Sequence, residues 1–88
     1  PKDGDVVVPN SKISIVAELS GEILSKAKRV EFYVNGKKKC ADRKVPYTCD
    51  WKVPKKKNVT HEIQTKAFDK AKAGNTIAES EIIRVKAE

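Results

Sequence analysis

The stretch from Val30 to Trp51, VEFYVNGKKKCADRKVPYTCDW, restricts the fold more than any other part of the chain. Val30, Phe32 and Val34 alternate with Glu31 and Tyr33, so an extended backbone sends the first three to one side and the other two to the opposite side. Asn35-Gly36 follows at once. Both residues tolerate the positive φ of a type I′ turn, which predicts a tight hairpin. Lys38 to Asp42 returns as a short charged strand suited to a sheet edge, where charge discourages pairing with another chain. After Val45-Pro46 the alternation resumes, with Tyr47, Cys49 and Trp51 on one face and Thr48, Asp50 and Lys52 on the other.

The flanking segments follow the same period. Asp5 to Val8 reads as a first strand closed by Pro9. Lys12 to Leu19 places Ile13, Ile15, Ala17 and Leu19 on one face. Ser20-Gly21 is a turn signal, and Glu22 to Arg29 reads as one helical turn or an irregular crossover, too short for a helix that stands alone. Pro54, the run Lys55 to Lys57 and Asn58 form a loop. Thr60 to Asp69 puts Ile63, Thr65 and Ala67 inward and Glu62, Gln64, Lys66 and Phe68 outward. Lys70 to Asn75 is a turn. Ala78 to Ala87 is one last strand, with Ile82 breaking the alternation as a bulge would. Seven short strands at roughly ten-residue spacing predict an all-β antiparallel sandwich.

The 88 residues make one domain, 1–88. The chain starts at Pro1 without methionine and reads as a piece excised from a larger multidomain protein, with Pro1 to Gly4 and Lys86 to Glu88 as linker stubs. No apolar run is long enough for a membrane-spanning helix.

The formal net charge is +7, carried by 16 lysines against three arginines. Phosphate and base-edge recognition favour the planar arginine fork, so nucleic acid is a poor partner for this surface. The plain reading is a solvated basic face. The alternative is a polyanion contact formed by Lys37, Lys38, Lys39, Arg43 and Lys44 on one hairpin and Lys55, Lys56 and Lys57 in the following loop. Cys40 and Cys49 lie nine positions apart, which is neither a redox nor a zinc spacing. They are read as a disulfide in an oxidising compartment, or else as two buried free thiols. Asn58-Val59-Thr60 fits the N-x-T glycosylation pattern in a loop.

Reaction chemistry finds no support. His61 is the single histidine and shares inward parity with Ile63 and Thr65, which makes it a half-buried structural residue. No G-x-S-x-G motif and no glycine-rich phosphate loop is present. Glu18, Glu31 and Glu62 fall on solvent faces, whereas glycoside hydrolysis needs paired carboxyls in a cleft, one with a raised pKa. Calcium needs six to eight oxygens, and the Asp69–Asn75 loop offers two side chains interrupted by Lys70 and Lys72. Tyr33 and Phe68 face outward but lie at far ends of neighbouring strands, so they cannot stack on one ligand. Trp51 and Phe32 belong to the core. No catalytic, cofactor-binding or metal-ligating residue is expected, and no cofactor.

In this order and spacing, VEFYVNGK (Val30 to Lys37), Asp42 with Pro46-Tyr47, Trp51, H-x-I-x-T-x-A-x-D (His61 to Asp69) and Gly74-Asn75 resemble the bacterial and archaeal immunoglobulin-like domains repeated in secreted enzymes and surface proteins. The match spans Lys12 to Val85. One departure is that four residues separate Asp69 from Gly74, where the family usually has two. The cysteine pair is not a hallmark of that family. The resemblance implies an immunoglobulin-like sandwich of about seven strands and a non-catalytic spacer, accessory or adhesion module at the cell surface or outside the cell. Its partners would be neighbouring domains of the parent chain and cell-wall polymer or polysaccharide. The alternatives are a carbohydrate-contacting appendage of a secreted hydrolase and a lysine-rich polyanion binder.

Overall fold

The computed structural model describes residues 1–88. Eight strands and one short helix follow in the order β1 (Val6–Val7), β2 (Lys12–Val16), α1 (Gly21–Lys26), β3 (Arg29–Val34), β4 (Lys37–Asp42), β5 (Thr48–Lys52), β6 (Val59–Phe68), β7 (Thr76–Glu79) and β8 (Ile83–Ala87). One sheet has the order β1-β8-β6-β3-β4, with β7 also paired to β6. The other contains only β2 and β5. The two sheets stack as a sandwich, as the alternation predicts.

The inner faces hold what period two assigns to them. Val30, Phe32, Val34, Ile63, Ala67, Val85 and Ala87 line the large sheet, and Ile15, Cys49 and Trp51 the small one, with Tyr47 and Val53 completing the core. Phe32, Val30, Val53 and Val85 are fully enclosed. Each such side chain contributes about 1.5–3 kcal/mol through its burial. Tyr47 keeps its hydroxyl satisfied by donating to the Ala27 carbonyl at 3.3 Å. The β3–β4 hairpin turns at Asn35 (φ 53°) and Gly36 (φ 80°), the two positive values that a type I′ turn requires. As expected, β4 is an edge strand. The crossover from β2 to β3 resolves into α1, which buries none of its residues and leans Ile23 on the core.

Four details differ from the sequence reading. The last strand is cut at Ser80–Ile82 into β7 and β8, both on the edge of β6 that faces away from β3. The cause is Ser80, whose hydroxyl accepts the Thr65 N–H at 2.9 Å in place of a ladder partner. The strand count is therefore eight. Strand β1 pairs with β8 in parallel rather than antiparallel register. The terminal segments are not stubs: Gly4 N–H donates to Arg84 O, Glu88 N–H to Val7 O, and the Asp3 carboxylate accepts the Arg84 N–H. Ala87 is fully buried. Finally, Glu31 is buried at 8% exposure although its face is the outer one.

Candidate functional site

Glu31 is enclosed because its neighbours on the outer face of the large sheet roof it. Arg29 Nε lies 3.1 Å from Glu31 Oε2, and Lys38 Nζ lies 3.7 Å from the same oxygen. The Tyr33 hydroxyl donates to Glu31 Oε1. Arg29 also donates to the carbonyls of Lys70 and Ala73 and stacks 4.1 Å from the centroid of Phe68. Burial pushes the Glu31 carboxyl upward. The Tyr33 hydroxyl, Lys38 and Arg29 together outweigh that and hold it below the ordinary carboxylate value. The same hydrogen bond, with burial, pushes Tyr33 up to about 12. No buried polar atom of this cluster is left without a partner, and the Arg29 bonds pin the loop after β6 to the sheet. Tyr33 and Phe68 do sit apart as expected: Tyr33 is opposite Gln64, and Phe68 is opposite Arg29 at the other end of the ladder. Lys66 Nζ lies 4.8 Å from the Tyr33 ring centroid and the Arg29 guanidinium 4.1 Å from that of Phe68, so a cation of the protein occupies one face of each ring.

The end of the sandwich at the Asn35-Gly36 turn is different. Asn35 bridges to β6: its N–H donates to Glu62 O at 2.8 Å, and its Oδ1 accepts the Glu62 N–H at 2.9 Å. That fixes the side-chain amide, so Nδ2 donates to His61 Nδ1 at 3.1 Å. The Nδ1 lone pair is thereby used, and the ring proton belongs on Nε2. His61 is 4% exposed, more enclosed than its sequence position suggests, and meets Trp51 edge to face with centroids 5.2 Å apart. Burial holds its pKa below the ordinary value, so the ring is neutral near pH 7. Nε2 has no hydrogen-bond partner. A buried donor left unmet costs about 1–3 kcal/mol.

His61 lines a cavity of about 260 Å³ together with Val34, Trp51 and Pro54, and Lys37, Lys39 and Lys52 stand around it. None of these three lysines lies within ion-pair distance of a carboxylate, in contrast to Lys38, Lys66 and Lys86. The local fold explains the grouping. Register between β3 and β4 slips after Phe32, which pairs with Cys40 while Tyr33 pairs with Lys38. Lys39 is the extra residue of the bulge. Lys37, opposite the inward Val34, and Lys39 turn toward the second sheet, while Lys38 joins Glu31 on the outer face.

The lysine and arginine residues singled out in the sequence are thus divided. Arg43 and Lys44 lie past the opposite end of β4, roughly 20 Å from Lys37 at strand rise. There Arg43 Nε donates to Ala71 O at 2.8 Å. Lys55, Lys56 and Lys57 are exposed in the loop after Pro54, at the same end as the cavity. Lys52 was not singled out, because its strand alone gives no sign that it meets β4. Cys40 and Cys49 form a disulfide with Cα atoms 5.8 Å apart, an ordinary separation, and join the edge of the large sheet to the small one. Asn58 is exposed at positive φ, with its N–H on Ala87 O. Asp69 Oδ1 accepts the Asn75 N–H at 2.8 Å, closing the lengthened loop noted in the sequence.

Two unequal sheets, antiparallel apart from the β1–β8 pair, define an immunoglobulin-like sandwich module. The chain matches the bacterial Ig domain family over residues 1–64 and belongs to that family. It is also similar to a solved structure of the fibronectin(III)-like modules of Clostridium thermocellum CbhA. That likeness has a TM-score of 0.76 and 27% identity, and covers 100% of this chain and 89% of the other. No curated protein sequence matches it. No helix is long and apolar enough to cross a membrane.

Proposed function

We propose that this chain is a non-catalytic accessory module of an exported bacterial protein, set in line with neighbouring domains that it spaces or anchors. The observation that carries the reading is the direction of the outermost strands. β1 and β8 run parallel, so the polypeptide passes through the molecule in one sense, along a body of 38 × 20 × 20 Å. The disulfide favours an oxidising location outside the cytoplasm. Apart from Tyr47, whose hydroxyl donates to the Ala27 carbonyl, the buried ionisable side chains are Arg29, Glu31 and His61. Arg29 and Glu31 neutralise each other, and His61 has no titrating partner, so the pairing of acid and base that reaction chemistry uses is missing. Two copies joined in tandem test the in-line arrangement by small-angle scattering. The longest dimension should grow by about one module length, 38 Å. A pair folded side by side, or turnover of any glycan by the isolated chain, would overturn the reading.

A second reading, contact with an extracellular polymer, is favoured by the three unpaired lysines at the Asn35-Gly36 end. Retention on an anionic matrix that exceeds that of a charge-matched sandwich, and that falls steeply with salt, is the expected result. Retention equal to the control would remove it.

A further inference from the structure

Strand β2 (Lys12–Val16) is an edge that nothing in the molecule guards. Its register with β5 runs unbroken from Lys12 opposite Lys52 to Val16 opposite Thr48. The bonds from Val53 N–H to Ser11 O and from Ala17 N–H to Tyr47 O show that the odd-numbered residues of this segment bond to β5. The N–H and C=O groups of Lys12, Ser14 and Val16 therefore point the other way, where β2 has no neighbour in its sheet. The other edges are protected. β4 carries Lys37, Lys38, Lys39 and a bulge, and β1 and β7 are two and four residues long. β2 has neither a proline nor a bulge, and its Val16 is 54% exposed.

Beside the Val16 end lies an open cleft of about 700 Å³ lined by Pro1, Lys2, Asp5, Val16 and Glu18. No hydrogen bond joins Pro1 or Lys2 to β2; the Lys2 N–H turns to Asp5 Oδ2 at 2.7 Å. The cleft leaves room for a further strand and contains two carboxylates. Lys12 and Glu18 are both exposed on the outer parity of the strand, and neither has an ion-pair partner. The strand that complements this edge is β2 of a second copy. Even-numbered residues must meet even-numbered residues across the seam. With Ser14 opposite Val16 of the other copy, Ile15 meets its own equivalent on a two-fold axis, and Lys12 of each copy stands opposite Glu18 of the other. A shift of two residues in either direction takes both charge pairs out of direct opposition. We propose that two copies of this chain associate through antiparallel β2–β2 pairing, with Lys12 of each seated in the Asp5–Glu18 cleft of the other. The pairing consumes both unguarded edges, so it closes as a dimer instead of growing into a fibre. It goes beyond the accessory-module reading: it joins separate parent chains side by side and leaves the path from β1 to β8 through each unchanged.

The test is sedimentation equilibrium of the 88-residue chain at low salt, from about 10 μM to about 1 mM. A dimer should form within that range. Ser14→Pro removes an edge N–H that β5 does not use, so the fold is kept and the dissociation constant should rise about tenfold or more. Lys12→Glu and Glu18→Lys should each weaken association about threefold or more, and the two together should restore it to within about threefold of the native value. Matching thermal melts establish that the variants are folded. In the native chain, amide exchange at Ser14 and Val16 should slow as concentration rises, while exchange at Lys37 to Lys39 stays constant. A monomer throughout the range, or association indifferent to Ser14→Pro, would overturn the pairing. A double charge variant no tighter than the single ones would overturn the register. Ser14→Pro in both copies keeps the tandem scattering test independent of this pairing, so either reading can fail alone.

Discussion

Replacing Glu31 by glutamine isolates the electrostatics of the outer-face cluster. The substitution keeps the shape and leaves an oxygen for the Tyr33 hydroxyl, but it removes the charge facing Arg29 at 3.1 Å and Lys38 at 3.7 Å. Arg29 cannot escape to water. Its side chain is 6% exposed, clamped by the Lys70 and Ala73 carbonyls and covered by Phe68. Breaking a buried pair from one side costs about 3–5 kcal/mol, because the partner charge stays buried and uncompensated. A domain of this size has a total stability on the order of 5–13 kcal/mol, so the loss is a large fraction. At roughly 4–8 °C per kcal/mol, a loss of about 3 kcal/mol lowers Tm by on the order of 12–24 °C. Urea denaturation with an unchanged m-value gives the free energy directly. The companion variant Arg29→Met/Glu31→Leu removes both charges and should recover most of the loss. A single-variant cost below about 1 kcal/mol, the size of an exposed pair, would refute the reasoning, since water would then be reaching Arg29.

Cys40→Ala/Cys49→Ala should lose about 2.5–3 kcal/mol by denaturation, the chain-entropy value for a loop with a sequence separation of 9. The native chain should also show no titratable thiol until it is reduced. Gly74→Ala should cost about 1–3 kcal/mol in the same assay, because the residue sits at φ +81° and a Cβ there would lie 2.6 Å from Asp69 Oδ1. The pH profile of Tm should be flat between neutrality and pH 10 and fall on both sides. Below the ordinary histidine value of 6.5 the unfolded chain takes up a proton that folded His61, its pKa lowered by burial, refuses, so stability drops as pH falls. Asp42, lowered chiefly by the Thr48 N–H, adds a further loss once pH passes below its ordinary 3.8. Tyr33 acts in the opposite sense. Its folded pKa is raised to about 12, so its contribution is intact below 10 and disappears as pH climbs from 10 through 12. Tyr33→Phe should abolish that alkaline loss.

Period-two alternation made the sandwich legible. Val30, Phe32 and Val34, and again Tyr47, Cys49 and Trp51, state which side of each strand is apolar, and the core follows. The hairpin was equally plain, because few dipeptides accept two positive φ values as Asn35-Gly36 does. Alternation says which face a side chain occupies, but it does not say what covers that face. Glu31 therefore read as solvated, although Arg29, Lys38 and the covered Phe68 ring enclose its surroundings from three strands. The cavity was hidden for a related reason. His61 and the lysines at positions 37 and 39 were visible separately, but Lys52 joins them only when the second sheet is laid over the first. The Asn35–His61 bond, which places the imidazole proton, spans 26 residues. The pairing of β1 left no trace in composition, since two valines serve a parallel and an antiparallel partner alike. The break before β8 did leave one, the adjacent Ile82 and Ile83, but a bulge and a full interruption produce the same doublet.

The alignment of β1 with β8 also decides how the molecule carries tension. A pull on its two ends draws β1 and β8 past each other in opposite senses, so their cross-links deform in shear. The bonds from Gly4 to Arg84, Lys86 to Asp5 and Glu88 to Val7 then share the load simultaneously, where a zipper geometry would expose them one after another. Rupture requires several to fail together, which makes this narrow seam a force-bearing clasp for whatever hangs from either side.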